Sequence, residues 1–141
     1  MLNEIVSGIS EKLYEAFGGG YEIYEGEVRQ GLAAPCFIIA FTEQPKDTFI
    51  GQCSRFRNYF SVTYMPDGPE ANSERLNVMD KLPTILEYIT TGGRLLRGTE
   101  MIGHIEDGAL VFFVCYNTVT RDGIEAEPME ALSLTKIKTK G

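Results

Sequence analysis

Leu2, Ile5, Val6, Ile9, Leu13 and Phe17 recur at helical spacing, while Glu4, Glu11, Lys12 and Glu15 fall on the other faces. The spacing predicts an amphipathic helix of about four turns, stopped by Gly18, Gly19 and Gly20. From Tyr21 to Val28 the period changes to two, with Tyr21, Ile23 and Glu25 on one side and Glu22 and Tyr24 on the other. That alternation predicts a strand. Gly31 to Pro35 breaks the chain. Cys36 to Phe41 is a short unbroken apolar run, as expected of a strand covered on both faces. Residues 43–55 read as a long loop or an extended hairpin tip, with Phe49 and Ile50 apolar inside it. A strand returns from Phe56 to Met65, its Phe56, Phe60, Val62 and Tyr64 sharing a face that Asn58 interrupts.

Pro66–Asp67–Gly68–Pro69 is a strong turn signal. Beyond it Leu76, Met79, Leu82, Leu86 and Ile89 form one apolar stripe, which predicts a second helix with Ser73 as N-cap and Gly92–Gly93 as its close. Pro83 lies inside that stripe and is expected to kink or split the helix. Two strands then meet at Glu106–Asp107–Gly108–Ala109, where Asp-Gly is a typical hairpin turn. Leu110 to Val119 is the most apolar of the strands. From Arg121 onward the pattern loosens. The order of helix, three strands, helix, two strands and tail predicts an α+β fold: a mainly antiparallel β-sheet with two helices packed on one face. No repeat or linker divides the chain, so residues 1–141 are expected to form one domain with 121–141 as a less regular C-terminal tail.

Composition narrows the function. The chain is 43% hydrophobic and 23% charged, which suits a globular domain able to bury a core without a disulfide or metal. Cys36, Cys53 and Cys115 are odd in number and form no CxxC, so reduced, structural thiols in a cytosolic setting are expected. Neither a signal peptide nor an apolar run near the roughly 20 residues of a membrane span is evident. The net charge of −7, without a basic stripe, argues against gripping phosphates. Lys136, Lys138 and Lys140 read as a solvated end of the chain.

Candidate chemistry is sparse. His104 is the single histidine, with Glu100, Glu106 and Asp107 as its sequence neighbours, and a partly exposed strand histidine is the expected reading. No nucleophile elbow, zinc helix, calcium loop or phosphate loop is present. Gly18–Gly20 follows a helix instead of opening one, as helix termination requires and a phosphate cradle does not. We therefore assign no catalytic, cofactor-binding or metal-binding residue, and expect no enzyme. Glu22, Glu25 and Glu27 form a candidate acidic surface on a solvated strand edge. Apolar residues in excess of a monomer's needs sit in the 43–55 loop (Phe49, Ile50) and in the tail (Met129, Leu132, Leu134, Ile137). These six are the candidate assembly interface.

Several stretches taken together carry a resemblance: MLNEIVSGISEKLYEAFGGGYEIYEGEVRQGL followed by PCFII, RFRNYFSVTYMP, LEYIT with GGRLLRGTEM, EDGALVFFVCYNT and PMEAL. In their number and order the chain resembles the phage tail terminator family of phages and prophages of Gram-positive bacteria, from Met1 to about Leu134. The resemblance implies a structural subunit, usually one of six in a ring, that caps the tail tube at its final length. It implies as partners the chain itself, the tail tube protein, a neck or head-completion protein and, in a contractile tail, the sheath protein. DNA would pass through without specific binding. It also implies a place in the virion tail or neck, after assembly in the host cytoplasm. A head-completion or connector-type neck protein and a cytosolic small-molecule-binding regulatory domain stay open as alternatives.

Overall fold

The computed structural model describes residues 1–26, 31–49, 51–121 and 124–126. Helix α1 spans Leu2–Phe17 and ends at Gly18, as its apolar period requires. Its Ile5, Ile9 and Leu13 are fully buried, and each contributes about 1.5–3 kcal/mol by leaving water. Strand β1, Glu22–Glu25, follows and is shorter than its alternation suggested. Next come β2, Cys36–Glu43; β3, Lys46–Phe49; and β4, Cys53–Met65. Helix α2 is Ala71–Ile85. The chain then forms β5, Tyr88–Thr91; β6, Arg94–Glu106; β7, Ala109–Arg121; and β8, Ile124–Ala126.

The eight described strands form one sheet in the order β1-β2-β4-β7-β6-β5, with β3 beside β4 and β8 beside β7. Every pairing is antiparallel except that of β1 with β2. Phe37, Ile39, Phe60, Val62, Tyr64, Leu110, Phe112, Val114 and Tyr116 share the face that meets both helices, and all are buried. The α+β expectation is met: a mostly antiparallel sheet with two helices on one side.

Residues 43–55 resolve in favour of the hairpin. Lys46–Phe49 pairs in register with Cys53–Phe56, so β4 starts three residues before the strand read from Phe56. Asn58, the polar interruption, is fully buried for a reason. Its Nδ2 donates to the Tyr116 carbonyl at 2.9 Å and to Thr118 Oγ1 at 3.0 Å, while its Oδ1 accepts from Gln44 Nε2 at 2.8 Å. These bonds pin the break between β2 and β3 to the two central strands, and they satisfy an amide that would otherwise be costly to bury.

Three expectations need correction. The second helix starts at Ala71, with Glu70 and not Ser73 at its cap, and it runs through Pro83 to Ile85. Ile89 belongs to β5, and Gly92–Gly93 turns β5 into β6 instead of closing the helix. Both glycines have positive φ, 53° and 82°, the pairing that a tight two-residue hairpin demands. Leu76 is 56% exposed because the helix directs Val78 and Leu82 inward. Strand β2 is covered on one face only, since Ile38 and Ala40 on the other side are half-exposed.

The end of α2 is tied to the sheet at one place. The Tyr116 hydroxyl donates to the Leu86 carbonyl at 2.6 Å, and Gly98 N donates to the Glu87 carbonyl at 2.6 Å. A Cβ on Gly98 would lie 2.6 Å from the Leu86 oxygen. Replacing Gly98 with Ala is therefore expected to cost about 1–3 kcal/mol by overpacking against backbone. Tyr116→Phe, which leaves that carbonyl buried without its donor, should cost about 1–3 kcal/mol. Urea unfolding of each variant against the parent measures both, and an unchanged midpoint for Gly98→Ala would mean that the helix end is free to move.

Candidate assembly surface

The sheet face turned away from the helices is open among the described residues. Strand registry places Tyr24, Ile38, Ala40, Tyr59, Ser61, Thr63, Val111, Phe113, Ile102 and His104 on it. Ile38, Thr63, Val111 and Phe113 are half-buried, whereas Ile102 is 63% exposed. At the β5–β6 end Tyr88 and Leu95 extend the apolar content of this face, Leu95 being 67% exposed. Exposed apolar side chains that share one sheet face are the usual mark of a partner surface.

A bulge in β6 organises the middle of this face. Pairing with β7 shifts between Thr99 and Ile102, and Glu100 takes a φ of 51°, a conformation that a side chain rarely adopts. The bulge aims the Glu100 carboxylate over β7 to β4, where the Tyr59 hydroxyl donates to both its oxygens at 2.9 and 3.0 Å. That hydrogen bond raises the Tyr59 pKa, with burial adding to it. Cys115 lies beneath the bridge, between Tyr59 and Thr99 in register. It is fully buried on a face that carries no helix. Burial first, then the Glu100 charge, pushes its pKa up to about 11. The three thiols are free and buried, as the sequence implied.

Charge lies at the two ends of the face. Asp47 on β3 pairs with Arg55 at 3.2 Å and Arg57 at 3.5 Å, contacts worth about 0–1 kcal/mol at this exposure. At the other end His104 Nε2 lies 3.3 Å from Glu106, and its ring stacks on Phe113 with centroids 5.6 Å apart. No wider set of titratable groups surrounds it among the described residues. Nor do any three His, Cys, Asp or Glu side chains there sit as a metal site would need.

The candidate residues fare unevenly. Phe49 closes the β3–β4 pairing opposite Cys53. Ile50, Met129, Leu132, Leu134 and Ile137 lie outside the described residues, as does Glu27. Glu22 and Glu25 are exposed on edge strand β1 but on opposite faces, so they do not form one acidic patch. Tyr59, Glu100, Leu95, Ile102 and Ile105 were missed. Three of these left a signal. Ile102 and Ile105 are three apart in a strand and cannot share a face, and in Leu95–Leu96 only one leucine can point inward.

Between sheet and helices the described side chains form one buried apolar cluster. A groove lined by Ser10, Glu11, Tyr14, Glu15, Tyr21 and Ile23 opens between α1 and the β1 edge of the sheet. No described helix is long and apolar enough to cross a membrane.

Comparison with known proteins adds one strong match. A family model described as phage tail terminator protein matches residues 4–128. No curated protein matches the chain. One solved structure aligns over 83% of this chain and 93% of its own, at 11% identity and a TM-score of 0.43, too loose a likeness to carry an argument.

The raised thiol has a measurable consequence. Unfolded, Cys115 ionises near 9.0; folded, it keeps its proton to about 11. Between those values the unfolded state sheds a proton that the folded state retains, so stability should be level below pH 9 and fall as pH rises towards 11. The raised pKa values of Tyr64 and Tyr116, both caused first by burial, act in the same direction. Urea midpoints at about pH 8 and about pH 10.5 measure the fall, and Cys115→Ala should reduce it. A midpoint that held steady across that interval would mean that Cys115 ionises freely in the folded protein.

Proposed function

This chain belongs to the phage tail terminator family, and we propose that its copies close into a ring that caps the tail tube and joins it to the neck. Family membership over residues 4–128 carries this reading, and it supports a structural role in the virion tail. The open sheet face, with Tyr88, Leu95 and Ile102 exposed on it, supplies a surface that such a subunit can bury against a neighbour. A ring requires a heterologous contact in which one patch meets a different one, and this chain has an open sheet face on one side and helices on the other to draw on.

The tube protein meets one face of the ring and the neck or head-completion protein the other, with the last sheath layer as a further partner if the tail is contractile. Six copies are the expected number. DNA passes through the ring without specific binding, because a subunit of net charge −7 repels phosphates. Arg55 and Arg57, two of the cations on the open face, are already shared with Asp47. Glu22 and Glu25 point to opposite sides of β1, so at most one of them fronts the channel.

Electron microscopy of the full chain mixed with its tube protein tests the proposal. Rings seated on tube ends, and tubes that no longer lengthen, are expected. Removal of residues 129–141 should leave a folded monomer, by circular dichroism and light scattering, that forms no ring and caps no tube. Full-length protein that ignored tubes and co-purified with the portal side would overturn capping and favour a connector role.

A further inference from the structure

Among the described residues the outer edge of β6 is left bare. Strand β5 covers only Arg94–Arg97, so beyond the bulge Ile102–Glu106 pairs with β7 on one side and with no described strand on the other. Such an edge presents unpaired backbone donors and acceptors and invites another strand. Proteins blunt edges with lysine, proline or brevity. The edge strands β1 and β5 are only four residues long, and β1 carries a glutamate at each end. Ile102–Glu106 has neither lysine nor proline, and it displays Ile102 at 63% and Ile105 at 52% exposure. These two isoleucines lie on opposite faces of the sheet, since Ile102 is in register with Phe113 and Ile105 with Leu110. An added strand, whose side chains alternate, covers both at once.

We propose that this edge receives residues 132–140 of a second copy, LSLTKIKTK, as an added strand, an inference that rests on the ring reading above. The occupant is chosen by three properties of the sequence. Its alternation puts Leu132 and Leu134 on one side and Ile137 on the other, an apolar partner for each exposed isoleucine. Its charge is opposite: residues 98–109 hold Glu100, Glu106 and Asp107 without Lys or Arg, while 132–140 hold Lys136, Lys138 and Lys140 without an acid. Its reach selects a copy in direct contact, because the five residues between Ala126 and Leu132 extend up to about 20 Å. Tail to edge is also a contact between unlike patches, as a ring demands.

Hydrogen exchange and light scattering of the full chain over a concentration series provide the test. Amides of Ile102–Glu106 should slow at least about tenfold as copies associate. Ile102→Lys with Glu106→Lys, both exposed positions, should abolish association and protection together while leaving the circular dichroism spectrum intact. Adding Lys136→Glu and Lys138→Glu to that variant should restore part of both. Protection of the edge in a monomer would put the segment on its own subunit and overturn the proposal. Association with the edge still unprotected would overturn it too, while the ring reading stood. A full chain that neither associates nor caps tubes would remove both.

Discussion

The structure turns on the Leu86 carbonyl. The last carbonyls of a helix have no partner within it and must find one outside or remain exposed. Leu86 is fully buried, so its oxygen depends on the Tyr116 hydroxyl from the centre of β7. The contact is possible only because Gly98 lacks a side chain where β6 passes beneath. This one junction sets α2 over the sheet, fixes where the chain turns into β5, and holds the start of β6 against the helix end. Everything distal on β6 inherits that placement, including the bulge at Glu100 and the bare edge beyond it.

What could be read from the sequence follows from how locally each element is specified. Helix α1 was legible because a single amphipathic stripe ends at glycines. The β6–β7 hairpin was legible because Asp107–Gly108 has few other uses between two strands. The second helix was misread at both ends for one reason. The apolar stripe from Leu76 to Ile89 keeps helical spacing across the real helix end, because a buried residue of β5 happens to continue the period. Gly92–Gly93 then fits a helix stop as well as a hairpin turn. The tie from Tyr116 to Leu86, 30 residues apart in sequence, and that from Gly98 to Glu87 decide between them.

The candidate surface was less legible still. Tyr59 and Glu100 are 41 residues apart and meet only because β7 lies between their strands and a bulge redirects the carboxylate. Bulges defeat the period-two rule by design: after one extra residue, every later side chain changes face. That shift is why Thr99 and Ile102 lie on one face although their spacing is odd. The apolar hairpin reading of residues 43–55 fared better, since Lys46 to Phe49 does pair as a strand arm.

A bare edge is a hazard for a free subunit and an asset for one that must stop a polymer. Strand addition is self-propagating when each new copy brings another open edge, as in fibrils. It terminates only when the contacts close on themselves. In the proposed ring each subunit gives one tail and offers one β6 edge, so closure consumes every such edge and leaves none for the tail of a further copy. The acidic character of the edge adds selectivity, because a second acidic edge is repelled while a lysine-bearing segment is drawn in. On this reading the capacity to assemble and the capacity to end assembly come from the same stretch of β6. In the proposed ring growth is halted by geometry, without a catalytic step.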